Sequence, residues 1–95
     1  MPTQYQFYNI NLCKESELEI QVLEARNRIL GAEHPETIHA MGNLAETYYA
    51  LDKHTEAEKL QIQVLAARNR IFGEEHPHTL EAITNLGTTY YSLGE

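Results

Sequence analysis

Apolar side chains recur every three or four residues in two long stretches of the chain, which is the spacing of one face of an α-helix. The later stretch carries them at Ala57, Leu60, Val64, Ala67 and Ile71. The earlier stretch carries them at Leu18, Val22, Ala25 and Ile29. Gly31 and Gly73 follow, and glycine is common just past a helix because it adopts a left-handed backbone without steric cost. The pattern therefore predicts two helices that end at these glycines.

A second type of helix follows each glycine after a short connection, which reads GAEHP the first time and GEEHP the second. Proline suits the first turn of a helix, since it has no N–H to lose there, so Pro35 and Pro77 mark two helix starts. His34 and His76 then stand near the N-cap. The apolar positions of these helices are Ile38, Met41, Leu44, Ala45, Tyr48 and Leu51, and again Leu80, Ile83, Leu86, Gly87, Tyr90 and Leu93.

The whole unit occurs twice. Residues 14–53 align with residues 56–95 without a gap, and 22 of the 40 aligned pairs are identical. A fixed period of about 20–50 residues is typical of solenoids, in which each unit stacks on the next. The sequence therefore predicts an all-α fold of stacked antiparallel helix pairs. Such a fold presents an extended surface instead of enclosing a catalytic pocket, which makes binding the expected function.

The repeated unit resembles the tetratricopeptide repeat. In this family the unit begins with the helix that starts at the proline, so Pro35 and Pro77 open the first helix of each pair. That helix carries N-L-[AG]-x-x-Y-Y-x-L, and Ala57 follows nine residues after Tyr48. The 42-residue period and the connection LGAEHPET resemble the long variety found in kinesin light chains and in fungal and bacterial nucleotide-binding signalling ATPases. The resemblance covers about residues 14–95 and implies a short right-handed solenoid whose concave face, lined by the first helix of each pair, holds peptides or partner helices. One departure is Glu15, which stands where the second copy has Ala57.

The repeat register divides the chain into a leading segment and an array. Residues 1–13 match the repeat poorly and are expected to be irregular or degenerate. Residues 14–95 are expected to form the array. Its parts are a half-repeat at 14–30, a full helix pair at 35–72 and a half-repeat at 77–95.

The last predicted helix has no partner helix in this sequence, which would leave Leu80, Ile83, Leu86 and Tyr90 without full cover. Burial of apolar area contributes about 25 cal/mol per Å², so a helix face left exposed to water loses several kcal/mol of stability. Three explanations remain open. The chain is a fragment of a longer array, a second copy closes its open end, or the N-terminal segment forms a cap while the C-terminal face stays weakly covered. We expect a fragment, or self-association through the open C-terminal repeat face.

Two repeated residue types are candidates for binding a partner. Asn43 and Asn85 lie in the middle of predicted helices, although asparagine is a modest helix former. Their amides could hold the backbone of an extended peptide, or they could bond between adjacent repeats. Tyr49 and Tyr91 could line a groove, since tyrosine combines apolar area with a polar tip, or they could pack between helices. The other candidates beside the core stripe of the first helices are His39, Glu46, Thr84 and Thr88.

The charge is acidic, with a formal net charge of −7. Nucleic-acid binding requires a basic face, so this balance argues against it and weakly favours a partner of basic character. Positive charge is concentrated in two copies of ARNR, where it either stabilises a helix C-terminus or binds an anion or acidic peptide. No apolar run is long enough to cross a membrane, the N-terminus lacks the features of a signal peptide, and one cysteine suits a reducing compartment. The expected location is the cytoplasm.

The sequence offers no support for catalysis, a metal or a cofactor. Cys13 and the five histidines have neither CxxC nor HExxH spacing. The five glycines are scattered and form no phosphate-binding loop. We therefore predict a protein–protein interaction module, not an enzyme, that binds a peptide or partner helix. The alternative is a structural, assembly or autoinhibitory segment of a longer array in a signalling ATPase.

Overall fold

Four helices account for almost all of the chain. The computed structural model describes residues 4–94, and their side chains from residue 11 onward. The helices are α1 (Gln4–Leu30), α2 (Pro35–Ala50), α3 (His54–Phe72) and α4 (Pro77–Leu93). No strand occurs among the described residues, so the predicted all-α fold is confirmed. None of these four helices combines the length and the apolar character needed to cross a bilayer.

The helices pack in the order in which they follow one another along the chain. α1 packs on α2, α2 on α3, and α3 on α4. The molecule measures 49 × 34 × 18 Å, and its thinnest dimension is less than two helix diameters of about 10–12 Å. The helices therefore form an open row of antiparallel neighbours, as in a solenoid, in which most contacts are between adjacent elements.

The first helix is longer than the repeat pattern predicts. Residues 4–13 belong to α1, so the chain is already helical from Gln4 onward, where an irregular or degenerate segment was expected. The physical reason is that no glycine or proline occurs between residue 3 and Gly31, so nothing interrupts the backbone hydrogen bonds of a helix. The expectation for residues 1–3 lies outside the described residues.

The starts of α2 and α4 are built in the same way. Nδ1 of His34 accepts a hydrogen bond from the Glu36 N–H at 3.1 Å, and Nδ1 of His76 accepts one from the His78 N–H at 3.1 Å. Each histidine thereby satisfies one of the backbone donors that a helix start leaves without a partner. The predicted position of the two histidines near the N-cap is confirmed.

An arginine of the preceding helix also binds each of these starts. Arg26 Nη1 donates to the Glu36 carbonyl at 3.0 Å, and Arg68 Nη1 donates to the His78 carbonyl at 3.2 Å. The two contacts are related by the repeat. The first arginine of each ARNR run therefore joins one helix to the first turn of the next, a role that the sequence pattern alone does not reveal.

The apolar core is centred on α3. Its buried cluster contains Ile38 from α2, Val64 and Ala67 from α3, and Ala82 from α4. Ala57, near the start of α3, is fully buried. Because α3 has neighbours on two sides, one helix contributes to both halves of the core.

Threonine takes a large part in the helix contacts, which the apolar pattern does not predict. Thr79 and Thr89 of α4 are buried, as are their repeat equivalents Thr37 and Thr47 of α2. Thr79 Oγ1 donates to the Arg68 carbonyl at 3.2 Å, and Thr89 Oγ1 donates to the Asn85 carbonyl at 3.2 Å. A hydroxyl that is paired in this way can be buried at little cost, which leaves the methyl group free to pack.

The turn after α2 ends the helix with a non-glycine residue in a left-handed conformation. Asp52 has a φ of 63°. Its N–H donates to the Tyr49 carbonyl at 3.0 Å, and the Lys53 N–H donates to the Tyr48 carbonyl at 2.8 Å. These two bonds form the Schellman motif, whose left-handed position favours glycine. The repeat equivalent of Asp52 is Gly94, with a φ of 80°.

Asp52→Gly should therefore stabilise the chain by about 0.5–1 kcal/mol, because glycine adopts this backbone without the steric cost of a Cβ. Urea unfolding followed by helical circular dichroism measures the change. Asp52→Ala is the matched control: it removes the same carboxylate from the C-terminus of α2 but keeps the Cβ. Equal stabilisation by both variants would show that charge, and not backbone strain, dominates at this turn.

Candidate functional site

A groove runs between α2 and α4, with α3 as its floor. Its empty volume is about 510 Å³, including space open to solvent. The residues that line it are His39, Gly42, Asn43, Glu46, Gln61, Val64, Arg68, Glu81, Ala82 and Asn85. A second cavity shares Glu46, Gln61 and Asn85 with the first and adds Tyr49 and Thr88. We refer to the two together as the α2–α4 groove.

Six of the eight residues selected from the sequence line this groove. They are His39, Asn43, Glu46, Tyr49, Asn85 and Thr88. The other two lie outside it. Tyr91 is 88% exposed, and Thr84 is exposed with its hydroxyl bonded to the Leu80 carbonyl at 3.1 Å. The structure thus brings together residues that are up to 49 positions apart in the sequence (His39 to Thr88).

The two repeated asparagines face the same space. Both are partly buried, and both line the groove. Of their atoms, only the backbone carbonyls accept hydrogen bonds from side chains among the described residues, from Thr47 and Thr89 respectively. Within that part of the chain the side-chain amides are not used to join one repeat to the next. Each amide therefore keeps its donors and its acceptor for another molecule.

Two polar residues of α3 form the floor, and sequence reasoning missed them. Gln61 is 7% exposed, and its Oε1 has no hydrogen-bond partner among the described residues. Arg68 is 8% exposed, and its Nη1 is bonded to the His78 carbonyl. Both lie on the stripe of Ala57 and Val64, since positions 57, 61, 64 and 68 share one helix face. This spacing is visible in the sequence, but it does not distinguish a residue of the groove floor from a residue of the core.

Tyr49 packs between helices and also lines the groove. Its ring lies 4.5 Å from the ring of His54 between centroids, and its hydroxyl is 2.6 Å from Ser92 Oγ. The second of these contacts joins α2 to α4. Both alternatives that the sequence left open for this tyrosine thus apply to one side chain, whereas its repeat equivalent Tyr91 is almost fully exposed.

Glu19 of α1 lies outside the α2–α4 groove, in a separate cavity that it lines together with Val22, Arg26, Ala40 and Asn43. Burial raises the pKa of Glu19, and the negative charges of Glu15 and Glu46 raise it further, while a hydrogen bond from Thr47 lowers it. Thr47 Oγ1 lies 2.5 Å from Glu19 Oε1. At the equivalent position of the second repeat the chain carries Gln61, which cannot ionise.

Glu19→Gln should stabilise the fold at neutral pH. A raised pKa means that the folded chain binds the Glu19 proton more tightly than the unfolded chain, so stability falls as pH rises through that pKa. The substitution removes this loss while keeping an acceptor for Thr47. We expect the thermal midpoint at about pH 7 to rise by roughly 1–4 °C.

The gain should disappear at about pH 3.5, below the ordinary glutamate pKa of about 4.3, where Glu19 is protonated in both states. Glu24→Gln makes the same charge change on an exposed part of α1 and is the control. Thermal unfolding at both pH values measures the effect. A gain from Glu19→Gln that persists at the lower pH would contradict the assignment to ionisation.

The groove is lined by hydrogen-bonding groups. It combines free amides and carboxylates with one buried guanidinium. Among the described residues, no three His, Cys, Asp or Glu side chains come together as a metal site. The arrangement can align and hold the polar groups of an extended ligand.

Comparison with known proteins agrees with the repeat seen in the sequence and the structure. A model of the tetratricopeptide repeat matches the chain twice, over residues 20–68 and over residues 40–95. No curated protein matches it closely enough in sequence to be called a relative. The two matches together include the C-terminal part of α1, from residue 20 onward, and all of α2, α3 and α4. The chain therefore belongs to the tetratricopeptide repeat family, whose members generally mediate protein–protein interaction.

Proposed function

We propose that the α2–α4 groove binds an extended peptide segment of a partner protein. The observation that carries this proposal is the unpaired Gln61 Oε1, which is buried in the groove floor between Asn43 and Asn85. Native proteins rarely leave a buried polar atom without a partner, because its lost hydration costs about 1–3 kcal/mol. A ligand N–H placed in the groove would recover this cost.

The two asparagine amides would bind the peptide backbone. Each amide can donate to a carbonyl and accept from an N–H, so a pair of them can align an extended chain whatever its sequence. The same residue occurs on α2 and on α4 at equivalent positions, and both line the groove. The two asparagines could therefore make the same backbone contact at two points along the ligand.

Specificity would come from the charges at the rim. Glu46 and Glu81 are exposed carboxylates on opposite sides of the groove, and the net charge of the chain is −7. Arg68 uses one of its N–H donors on the His78 carbonyl. The acceptors free to meet a ligand are Gln61 Oε1, the amide oxygens of Asn43 and Asn85, and the two carboxylates. This favours a peptide with a lysine or arginine at the position that faces them.

The alternative function is a structural, assembly or autoinhibitory role within a longer array. The half-exposed Leu80 and Ile83 of α4 support it, since they form an apolar face of the kind that repeats cover by stacking. The connection LGAEHPET supports assignment to the long kinesin-light-chain-like variety, with signalling ATPases as one setting. The exposed free thiol of Cys13 suits the reducing cytoplasm.

Replacing both groove asparagines should weaken peptide binding without unfolding the chain. Peptides of about ten residues, long enough to span about 33 Å when extended, would first be selected from a random display library on the unaltered chain. We expect Asn43→Ala combined with Asn85→Ala to raise the Kd of a selected peptide about tenfold or more, as loss of two hydrogen-bonding amides predicts. Fluorescence anisotropy measures Kd, and circular dichroism checks the fold.

A second repeated asparagine pair provides the control. Asn27 and Asn69 are exposed and do not line the α2–α4 groove, so replacing both with alanine should leave the Kd unchanged. The proposal fails if no peptide is selected. It also fails if both double variants bind the selected peptides as tightly as the unaltered chain does.

A further inference from the structure

Two apolar helix faces remain half-exposed at opposite sides of the row of helices. On α4, Leu80 is 50% exposed and Ile83 is 49% exposed. On α1, Leu18 is 62% exposed and Val22 is 45% exposed. Nothing among the described residues covers either face. Exposed apolar faces of this kind, when contiguous, mark sites of association.

The repeat shows what kind of surface covers such a face, because the chain contains one complete example. The equivalents of Leu80 and Val22 are Ile38 and Val64, each 3% exposed, and they lie in one buried cluster. That cluster includes Ala67, the equivalent of Ala25 on α1. The α2–α3 interface is thus an internal template for a contact between an α4 face and an α1 face.

An ion pair at the α2–α3 interface also supports a contact between an α4 face and an α1 face. Arg70 of α3 forms a salt bridge with Glu33 before α2, with Nη2 at 2.7 and 2.9 Å from the two carboxylate oxygens. Their repeat equivalents are Arg28 and Glu75, and both are exposed. Complementary residues for the apolar contact and for its ion pair are therefore present on the two unpaired faces.

We propose that the chain self-associates head to tail, with α1 of one copy covering the Leu80–Ile83 face of α4 of another copy. The two surfaces differ, so the contact is heterologous and each added copy leaves one face of each type open. Association should therefore continue beyond the dimer. In the new interface Val22 would pack against Leu80 and Ile83, and Arg28 would pair with Glu75.

A departure from the template at Glu15 predicts that the association is weak. Ala57, fully buried on α3, corresponds to Glu15 on α1. A carboxylate would lie where the template has a methyl group, and its desolvation opposes binding. Gly87 of α4, the repeat equivalent of Ala45, has no atom within 4 Å of the position that a Cβ would take, so the α4 face is open at this point.

Sedimentation equilibrium of the 95-residue chain tests the proposal. From about 10 μM to about 1 mM, the range of weak interfaces, we expect the average mass to rise past that of a dimer. Val22→Lys and Ile83→Lys each place a charge on one of the two faces, at a position that is already half exposed in the single copy. Each variant should be a folded monomer, with association about tenfold weaker or more because the ammonium would be desolvated.

Mixing the two variants provides the decisive measurement. Ile83→Lys retains an intact α1 face, and Val22→Lys retains an intact α4 face, so an equimolar mixture should form a dimer that grows no further. Asn27→Lys, an exposed substitution on α1 outside the proposed interface, is the control and should associate like the unaltered chain. Glu15→Ala restores the residue of the template and should strengthen association about threefold to tenfold.

Three results would overturn the proposal. A monomer up to the highest concentration would mean that the faces are covered by another protein or by further repeats. Association of Val22→Lys or Ile83→Lys alone would indicate a symmetric contact of one face with itself. A mixture that stays monomeric while the unaltered chain associates would show that α1 does not cover α4.

Discussion

The position of α3 between α2 and α4 is the constraint on which the rest of the structure depends. A helix that is packed between two others needs a small residue at its closest contacts and apolar residues on the sides that face both neighbours. Ala57, Val64 and Ala67 meet this requirement, and all three are buried. Their burial holds α2 and α4 at a fixed separation, and that separation creates the groove.

The groove is a consequence of this packing and needs no separate scaffold. The same face of α3 that buries Val64 places Gln61 and Arg68 between the two outer helices. Arg68 reaches past the core to the first turn of α4, so one side chain both secures the helix start and forms the groove floor. Polar groups buried in this way are costly unless they are paired, which is why the unpaired oxygen of Gln61 carries the proposed function.

The outer helices, α1 and α4, are not packed between two other helices as α3 is. α1 packs chiefly on α2 and α4 chiefly on α3, and their exposed residues Val22 and Leu80 are equivalents of the buried Val64 and Ile38. Ile38 is buried while Leu80 is half exposed, although both occupy the same position in the repeat. Burial in a stacked array is thus a property of position in the row as much as of residue type. The proposed peptide binding and the proposed self-association would use two different surfaces of one row, so neither would exclude the other.

The resemblance to the tetratricopeptide repeat implied a concave surface, and six of the residues predicted for it line the groove. Periodicity and the repeat were sufficient to predict helices, their glycine ends and the N-cap histidines. Local rules act within a few residues, and these features depend on little else. The extension of α1 to Gln4, the buried threonines and the roles of Gln61 and Arg68 depend on contacts between helices. Thr79 is buried with its hydroxyl bonded to the Arg68 carbonyl, and no spacing within α4 predicts that contact. The sequence by itself determined which residues form helices and which faces are apolar. Only the tertiary structure decided which of those faces are buried, because burial depends on whether another helix packs against the face.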